Sequence, residues 1–162
     1  ARRRALALAE HDLAWIEEPL PADDVEGHAE LARIAPMPVA VGESLYSIRH
    51  FADYVARGAA SVIQVDAGRI GGITPWLKVA HMAECHGLAV APHFLMELHA
   101  SLVCAVRNGV WVEYIPQLDD IVGDRLRIVD GYAHAPETPG LGIDWNEDEV
   151  ARRAVAEFTT HL

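Results

Sequence analysis

Five ionisable residues stand one after another at the ends of short apolar runs: Glu17 or its neighbour Glu18, then Glu43, Asp66, His93 and Glu113. The intervals from Glu17 onward are 26, 23, 27 and 20 residues. A single acid in such a place commonly caps the next helix or sits in a solvated loop. Five in series are different, because gathered carboxylates repel one another and bind protons more tightly unless a cation holds them. Hard oxygen donors without a soft partner suit Mg²⁺ or a similar divalent ion, and no His/Cys set of the kind zinc prefers is present. A histidine within reach of an aspartate has a second use, since the carboxylate fixes the imidazole tautomer and makes the ring a general base or acid. A divalent ion beside such a base is one way to stabilise the enediolate formed when a proton leaves the carbon α to a carboxylate. The chemistry implied is proton abstraction from a carboxylic acid substrate.

These residues need elements that aim them at one place. Apolar runs rich in β-branched or aromatic residues occur at Leu13–Ile16, Pro38–Val41, Ser61–Val65, Leu88–Ala91 and Val110–Tyr114. Helical periodicity fills the intervals, over Val25–Ile34, Ile48–Arg57, Ile73–Ala83 and Met96–Val106, and Arg2 to His11 reads as one more helix. In the clearest of these, Ile73, Trp76, Leu77, Ala80 and Ala83 share a face, with Thr74 and Pro75 expected as N-cap and first helical residue. Alternating strands and helices at this interval predict βα units and a parallel α/β sheet. In such folds the carboxyl ends of the strands form the face that carries the active site. A complete (β/α)₈ barrel needs eight strands and about 250 residues, so five strands predict either an open sheet or part of a barrel. The opening Ala1-Arg2-Arg3-Arg4, running directly into a helix, favours the partial barrel.

Bulk composition narrows the partners. The chain has 162 residues, 51% hydrophobic and 23% charged, with a formal net charge of −11. That is ordinary globular composition, enough for one sizeable core. The acidic balance argues against nucleic acid and anionic membranes as partners. The two cysteines, Cys85 and Cys104, make neither a disulfide framework nor a metal spacing and are expected as core residues. With no signal-peptide pattern and no apolar run of transmembrane length, a soluble cytoplasmic protein is expected.

The motifs Trp15-Ile16-Glu17-Glu18-Pro19-Leu20, Val41-Gly42-Glu43-Ser44, Gln64-Val65-Asp66-Ala67-Gly68-Arg69-Ile70-Gly71-Gly72, Ala91-Pro92-His93-Phe94 and Trp111-Val112-Glu113-Tyr114 together resemble the enolase superfamily, and within it the mandelate racemase subgroup. The resemblance runs over nearly the whole chain, and Pro139-Gly140-Leu141-Gly142-Ile143 resembles that family's C-terminal tail. It implies a partial barrel of the TIM type with about five βα units, spanning residues 1–162 with a tail over 135–162, and lacking the N-terminal capping domain and first strands. Strand alternation alone leaves Glu17 and Glu18 equivalent; the family spacing to Glu43 selects Glu17. Glu17 and Glu43 are then metal ligands for Mg²⁺, Asp66 and His93 a His–Asp dyad, and Glu113 a hydrogen-bond donor to the substrate carboxylate. Glu18 is expected as support. The subgroup's third ligand, an aspartate, and its base lysine have no counterpart here. The only lysine, Lys78, falls in a helix and reads as solvated.

The implied parent is a Mg²⁺-dependent enzyme, a homo-oligomer acting on a small carboxylate or acid-sugar substrate. Acid-sugar dehydratase is the expected activity, and a 2-hydroxy-acid racemase or epimerase is the nearest alternative. Two other readings remain: a truncated, catalytically incomplete protein that binds metal or acids, and a five-stranded doubly wound binding domain. By itself this chain is expected to show no turnover and weak Mg²⁺ affinity, and its open sheet edges to promote association. The remaining features read as structure. Gly68, Gly71 and Gly72 suit a tight strand-to-helix turn rather than a phosphate loop. Arg69 meets either an anionic substrate or a neighbouring carboxylate. His99 is a packed or surface residue, Asp119, Asp120 and Asp124 border the mouth of the site, and 145–162 is a charged terminal helix or tail.

Overall fold

The computed structural model describes residues 1–156. Four short strands, β1 (Ile16–Glu17), β2 (Val39–Val41), β3 (Val62–Ile63) and β4 (Ala89–Val90), form one parallel sheet in sequence order. Helices α2 (Val25–Ala32), α3 (Ile48–Ala56) and α5 (Ile73–Cys85) fill the crossovers, with a short α4 (Ala67–Ile70) between β3 and α5, and α6 (Met96–Cys104) after β4. At the start, α1 (Arg2–Ala7) continues into a 3₁₀ turn at Ala9–His11. This is a partial parallel α/β barrel, built from successive βα units.

The expected fifth strand is the main departure. Residues 110–114 form no strand; just before them lies one parallel bridge, Val90 to Gly109, in which Val90 N–H donates to the Asn108 carbonyl at 2.8 Å and Val110 N–H to the Val90 carbonyl at 2.9 Å. One bridge does not make a ladder, so the parallel sheet has four strands among the described residues. A hairpin that the apolar runs do not announce, β5 (Arg127–Val129) with β6 (Tyr132–His134), follows. Its turn residues Asp130 and Gly131 have φ of 50° and 81°, the conformation that an Asp-Gly hairpin turn supplies. The last helix, α7 (Glu147–Arg153), falls in the expected terminal segment; the rest of that expectation, 157–162, lies outside the described residues.

Helix starts follow local chemistry. Asp24 caps α2 by accepting from Gly27 N–H, Ser47 caps α3 through His50 N–H, and Asp66 caps α4 through Gly68 and Arg69 N–H. The start of α5 differs from expectation: Gly72, not Thr74, is its N-cap, so Pro75 is its third residue. Gly71 ends α4 at φ 96° and Gly72 opens α5 at φ 111° and ψ −172°. Both conformations are open to glycine at little cost, which explains the Gly-Gly pair.

The register sorts the sheet into two faces. Val39, Val41, Ile63 and Val90 pack with Phe51, Tyr54, Trp76, Val79 and Ala80 in the main core between sheet and helices. The opposite face carries Ala40, Val62 and Ala91 with Trp15 and Ala89 against them. Register pairs Glu17 with Ala40, Ala40 with Val62, and Val62 with Ala89, so Glu17 stands on the face turned away from the helices. Among the described residues, no helix is long and apolar enough to cross a membrane. Cys85 and Cys104 are both exposed, not core: each is the last residue of its helix, beyond the turns that face the sheet.

Tyr54 ties α3 to the loop after β1. Its hydroxyl donates to the Ala22 carbonyl at 3.1 Å and lies 3.1 Å from His28 Nδ1, inside the core. Burial foremost, then the charges of Glu18 and Asp24, push the phenol from 10.0 up to about 12. Only the unfolded chain then releases this proton above pH 10, so stability is untouched below pH 10 and erodes as pH climbs toward 12. Tyr54→Phe in the full-length protein should cost about 1 kcal/mol at neutral pH from the lost Ala22 bond. The same change should reduce the loss between pH 10 and 12, as urea unfolding at several pH values will report.

Candidate active site

The loops that follow β2, β3 and β4 bring three of the five singled-out residues into direct contact. His93 Nδ1 lies 2.8 Å from Asp66 Oδ2, and its Nε2 lies 2.9 Å from Glu43 Oε2. Asp66 is buried and His93 nearly so. The two oxygens of Asp66 have separate tasks: Oδ1 accepts from Gly68 N–H at 2.7 Å and Arg69 N–H at 3.3 Å, leaving Oδ2 for the imidazole. Helix capping thereby fixes the carboxylate that fixes the ring. Both ring nitrogens face carboxylate oxygens at hydrogen-bonding distance. Arg69 closes the cluster, donating to the Glu43 carbonyl at 2.8 Å and lying 3.4 Å from Glu43 Oε1 and 3.7 Å from Asp66 Oδ2. Of its two expected partners, this arginine takes the carboxylates.

Glu17 and Glu113 are held by other partners beside this cluster. Glu17 Oε2 accepts from Gln64 Nε2 at 2.8 Å and from Trp15 Nε1 at 3.5 Å. Gln64 is two residues before Asp66 on the same face, and its Oε1 is buried without a hydrogen-bond partner among the described residues. Glu113 Oε2 accepts from Phe94 N–H at 2.8 Å, next to His93. Glu18 turns off the strand at φ 35° and accepts from Ser44 N–H at 3.1 Å and Ser44 Oγ–H at 2.7 Å, locking the end of β1 to the loop after β2. The sequence reading singled out neither Gln64 nor Ser44. Gln64 alternates in register with Asp66, which is the signal that could have found it.

Gly42 shows why that register is tight. A Cβ there would sit 2.3 Å from the Gln64 carbonyl carbon and 2.5 Å from its oxygen, so only glycine lets β2 approach β3 just before Glu43. Backbone strain also gathers here. Glu18, Phe94 and Leu95 are three of the five non-glycine residues with positive φ among the described residues, a state that persists only where surrounding contacts over-determine it.

The donor set fits a hard cation in type. Glu17 and Glu43 supply carboxylates from adjacent strand ends, and Mg²⁺ commonly takes one or two carboxylates and fills its shell with water and substrate oxygens. Among the described residues no group of three or more His, Cys, Asp or Glu side chains is arranged to hold a metal. Asp119 pairs with Arg125, and Asp120 with Arg153. Asp124 lines a cavity of about 420 Å³ with Glu97, Arg125, His134 and Asp144, which includes none of the five strand-end residues. Burial, with a smaller contribution from Asp119, raises the Glu97 carboxyl above its usual range.

Comparison with known proteins matches residues 1–149 to the enolase C-terminal domain-like family. The chain belongs to this family. Its similarity to the L-talarate/galactarate dehydratase of Salmonella typhimurium is 39% identity over 94% of this chain and 38% of that protein. An L-rhamnonate dehydratase of Saccharopolyspora erythraea is 34% identical over 94% of this chain and 42% of its own length. Among solved structures, the L-talarate dehydratase of a Polaromonas species, complexed with Mg and L-glucarate, superposes with a TM-score of 0.87 at 43% identity, covering 93% of this chain and 42% of that one. A Bradyrhizobium enolase complexed with magnesium and mandelic acid gives 0.88 at 36% identity over 93% and 42% of the two chains. The chain thus spans about two-fifths of the length of these enolase-family relatives.

Proposed function

We propose that this chain is the C-terminal part of the catalytic barrel of a Mg²⁺-dependent acid-sugar dehydratase, with 135–162 as its tail. The full-length protein is a cytoplasmic homo-oligomer in this reading. The observation that carries it is the His93–Asp66 pair, held at 2.8 Å by a helix-capping aspartate at a strand end and flanked by Glu43. The likeness to talarate, galactarate and rhamnonate dehydratases supplies the substrate class, a six-carbon sugar acid.

Glu17 and Glu43 would hold the Mg²⁺, which when bound neutralises negative charge developing on the substrate carboxylate. Asp66 holds Nδ1–H of His93, so proton transfer is left to Nε2. At Nε2 the ring either removes the proton α to the carboxylate or delivers a proton to the β-hydroxyl as its C–O bond breaks. Loss of the α proton and of the hydroxyl, as water, leaves an enol that tautomerises to a 2-keto-3-deoxy acid. Glu113, anchored on Phe94 N–H beside the same turn, would hydrogen-bond the substrate carboxylate through its other oxygen. Arg69 holds Glu43 against the cluster.

Incubating the full-length protein and Mg²⁺ with talarate, galactarate, glucarate and rhamnonate should yield a 2-keto-3-deoxy acid from at least one of them. Epimerised substrate without a keto acid would replace the dehydratase by the racemase reading. No reaction with the whole set would remove the substrate class.

A further inference from the structure

His99 belongs to no step above, yet its ring is fully buried and both nitrogens are used. Nε2 accepts from Ala67 N–H at 3.1 Å, and Nδ1 lies 2.6 Å from the Phe94 carbonyl. An amide can only donate and a carbonyl can only accept, so the ring is the neutral tautomer with its proton on Nδ1. Burial, the largest influence on it, also holds the imidazolium form down.

The two partners matter more than their number. Ala67 is the residue after Asp66, and Phe94 is the residue after His93. One ring therefore links the peptides that flank both halves of the pair, across two separate loops. Its neighbour Trp76 completes the frame: the indole stacks on His99 with centroids 6.1 Å apart at 28°, and its Nε1–H donates to the Val65 carbonyl at 2.9 Å. Asp66 is thus gripped on both sides, by Trp76 through Val65 and by His99 through Ala67.

Two features make this link consequential. The first N–H groups of a helix lack intrahelical partners, and at α4 the cap is divided: Asp66 Oδ1 takes Gly68 and Arg69, while His99 takes Ala67. Without His99, the Ala67 N–H becomes an unmet donor next to the carboxylate that must face His93. On the other side, Phe94 and Leu95 hold φ of 53° and 34°, a strained turn directly after His93. Glu113 holds the amide of Phe94 and His99 holds its carbonyl.

We propose that His99 is a positioning residue for the Asp66–His93 pair: as a neutral Nδ1–H imidazole it ties the turn after one to the turn after the other and fixes how they meet. This rests on the reading that the pair moves the substrate proton.

The test uses the full-length protein with Mg²⁺ and the sugar acid it turns over, comparing His99→Phe, His99→Asn and His99→Gln. Asparagine can present its amide where Nδ1 stood and keep the Phe94 link; glutamine can present its oxygen where Nε2 stood and keep the Ala67 link. His99→Phe should lower kcat by about 10- to 100-fold, the effect of a misplacement on the order of 1 Å, with KM nearly unchanged. Each amide variant should recover part of the loss. Selective ¹⁵N-histidine NMR of the wild-type protein should show His99 protonated at Nδ1 and not at Nε2, and the His93 Nδ1 proton resonance should move in all three variants. If His99→Phe does not fold, the two amide variants and the NMR signature decide. Wild-type kcat in both amide variants with an unmoved His93 resonance, or a His99 proton on Nε2, would overturn the proposal. Full activity in His93→Asn would instead overturn the underlying reading, and the tautomer measurement is independent of it.

Discussion

His93→Asn in the full-length protein should lower kcat by about 10²- to 10⁴-fold, the range that a positioned general acid or base contributes. The reason is geometric. Asparagine can keep one hydrogen bond to Asp66 Oδ2, now 2.8 Å from Nδ1, but nothing then stands where Nε2 stands. Binding of the sugar acid should change little, so the loss falls on kcat rather than KM. The fold should tolerate the change, because the ring lies at the mouth of the sheet rather than in the core between sheet and helices. Steady-state kinetics with a thermal unfolding control will separate the two. A variant within about threefold of wild-type kcat would mean that another group transfers the proton.

The second large effect concerns the two adjacent glutamates. Glu17→Gln should weaken Mg²⁺ binding by more than about 100-fold, beyond the 10- to 100-fold typical of losing an outer partner of a ligand. Glu18→Gln should leave the affinity near wild type, because that side chain is engaged with the backbone and hydroxyl of Ser44. Its cost should appear as about 1 kcal/mol of stability instead. The assignment comes from register: Glu17 pairs with Ala40 on the face away from the helices, and Glu18 turns off the strand at positive φ. Calorimetric Mg²⁺ titration of the full-length variants reads this without any turnover. If Glu18→Gln abolished binding and Glu17→Gln did not, the register would be wrong.

Much of the frame was legible because its signals are local. The 3.6-residue periodicity of 48–57 and 73–83 marks α3 and α5 to within two residues, since the apolar stripes at Phe51, Tyr54, Trp76 and Ala80 are those that meet the sheet. The strands were legible as apolar runs, but only two or three residues of each enter the parallel ladder, an extent invisible in composition. Residues 110–114 carry the composition of a strand and lack the ladder, which composition does not report. For the β5–β6 hairpin the local signal is the Asp130-Gly131 pair alone, and the strands around it are three residues long and mostly exposed.

At the site the types of residue were legible and the connections were not. Series spacing pointed to Glu17, Glu43, Asp66, His93 and Glu113, but not to the order of contact. The structure puts Glu43, Asp66, His93 and Arg69 in one network, while Glu17 bonds to Gln64 and Glu113 to the amide of Phe94 instead. Gln64 and His99 carry no charge to advertise them. Their roles rest on which backbone or carboxylate atom lies within 3.1 Å, and that is a property of the fold.

The role of His93 in proton transfer is tested most directly by proton NMR of the sugar acid in D₂O with the full-length protein and Mg²⁺, wild type beside His93→Asn. With the wild-type protein the signal of the proton α to the carboxylate should disappear, as a 2-keto-3-deoxy acid carrying solvent deuterium at its third carbon forms. With His93→Asn, formation of that product should collapse. An α-proton signal that persists in the wild-type reaction across the sugar acids tested, or product formed by His93→Asn at the wild-type rate, would contradict that role.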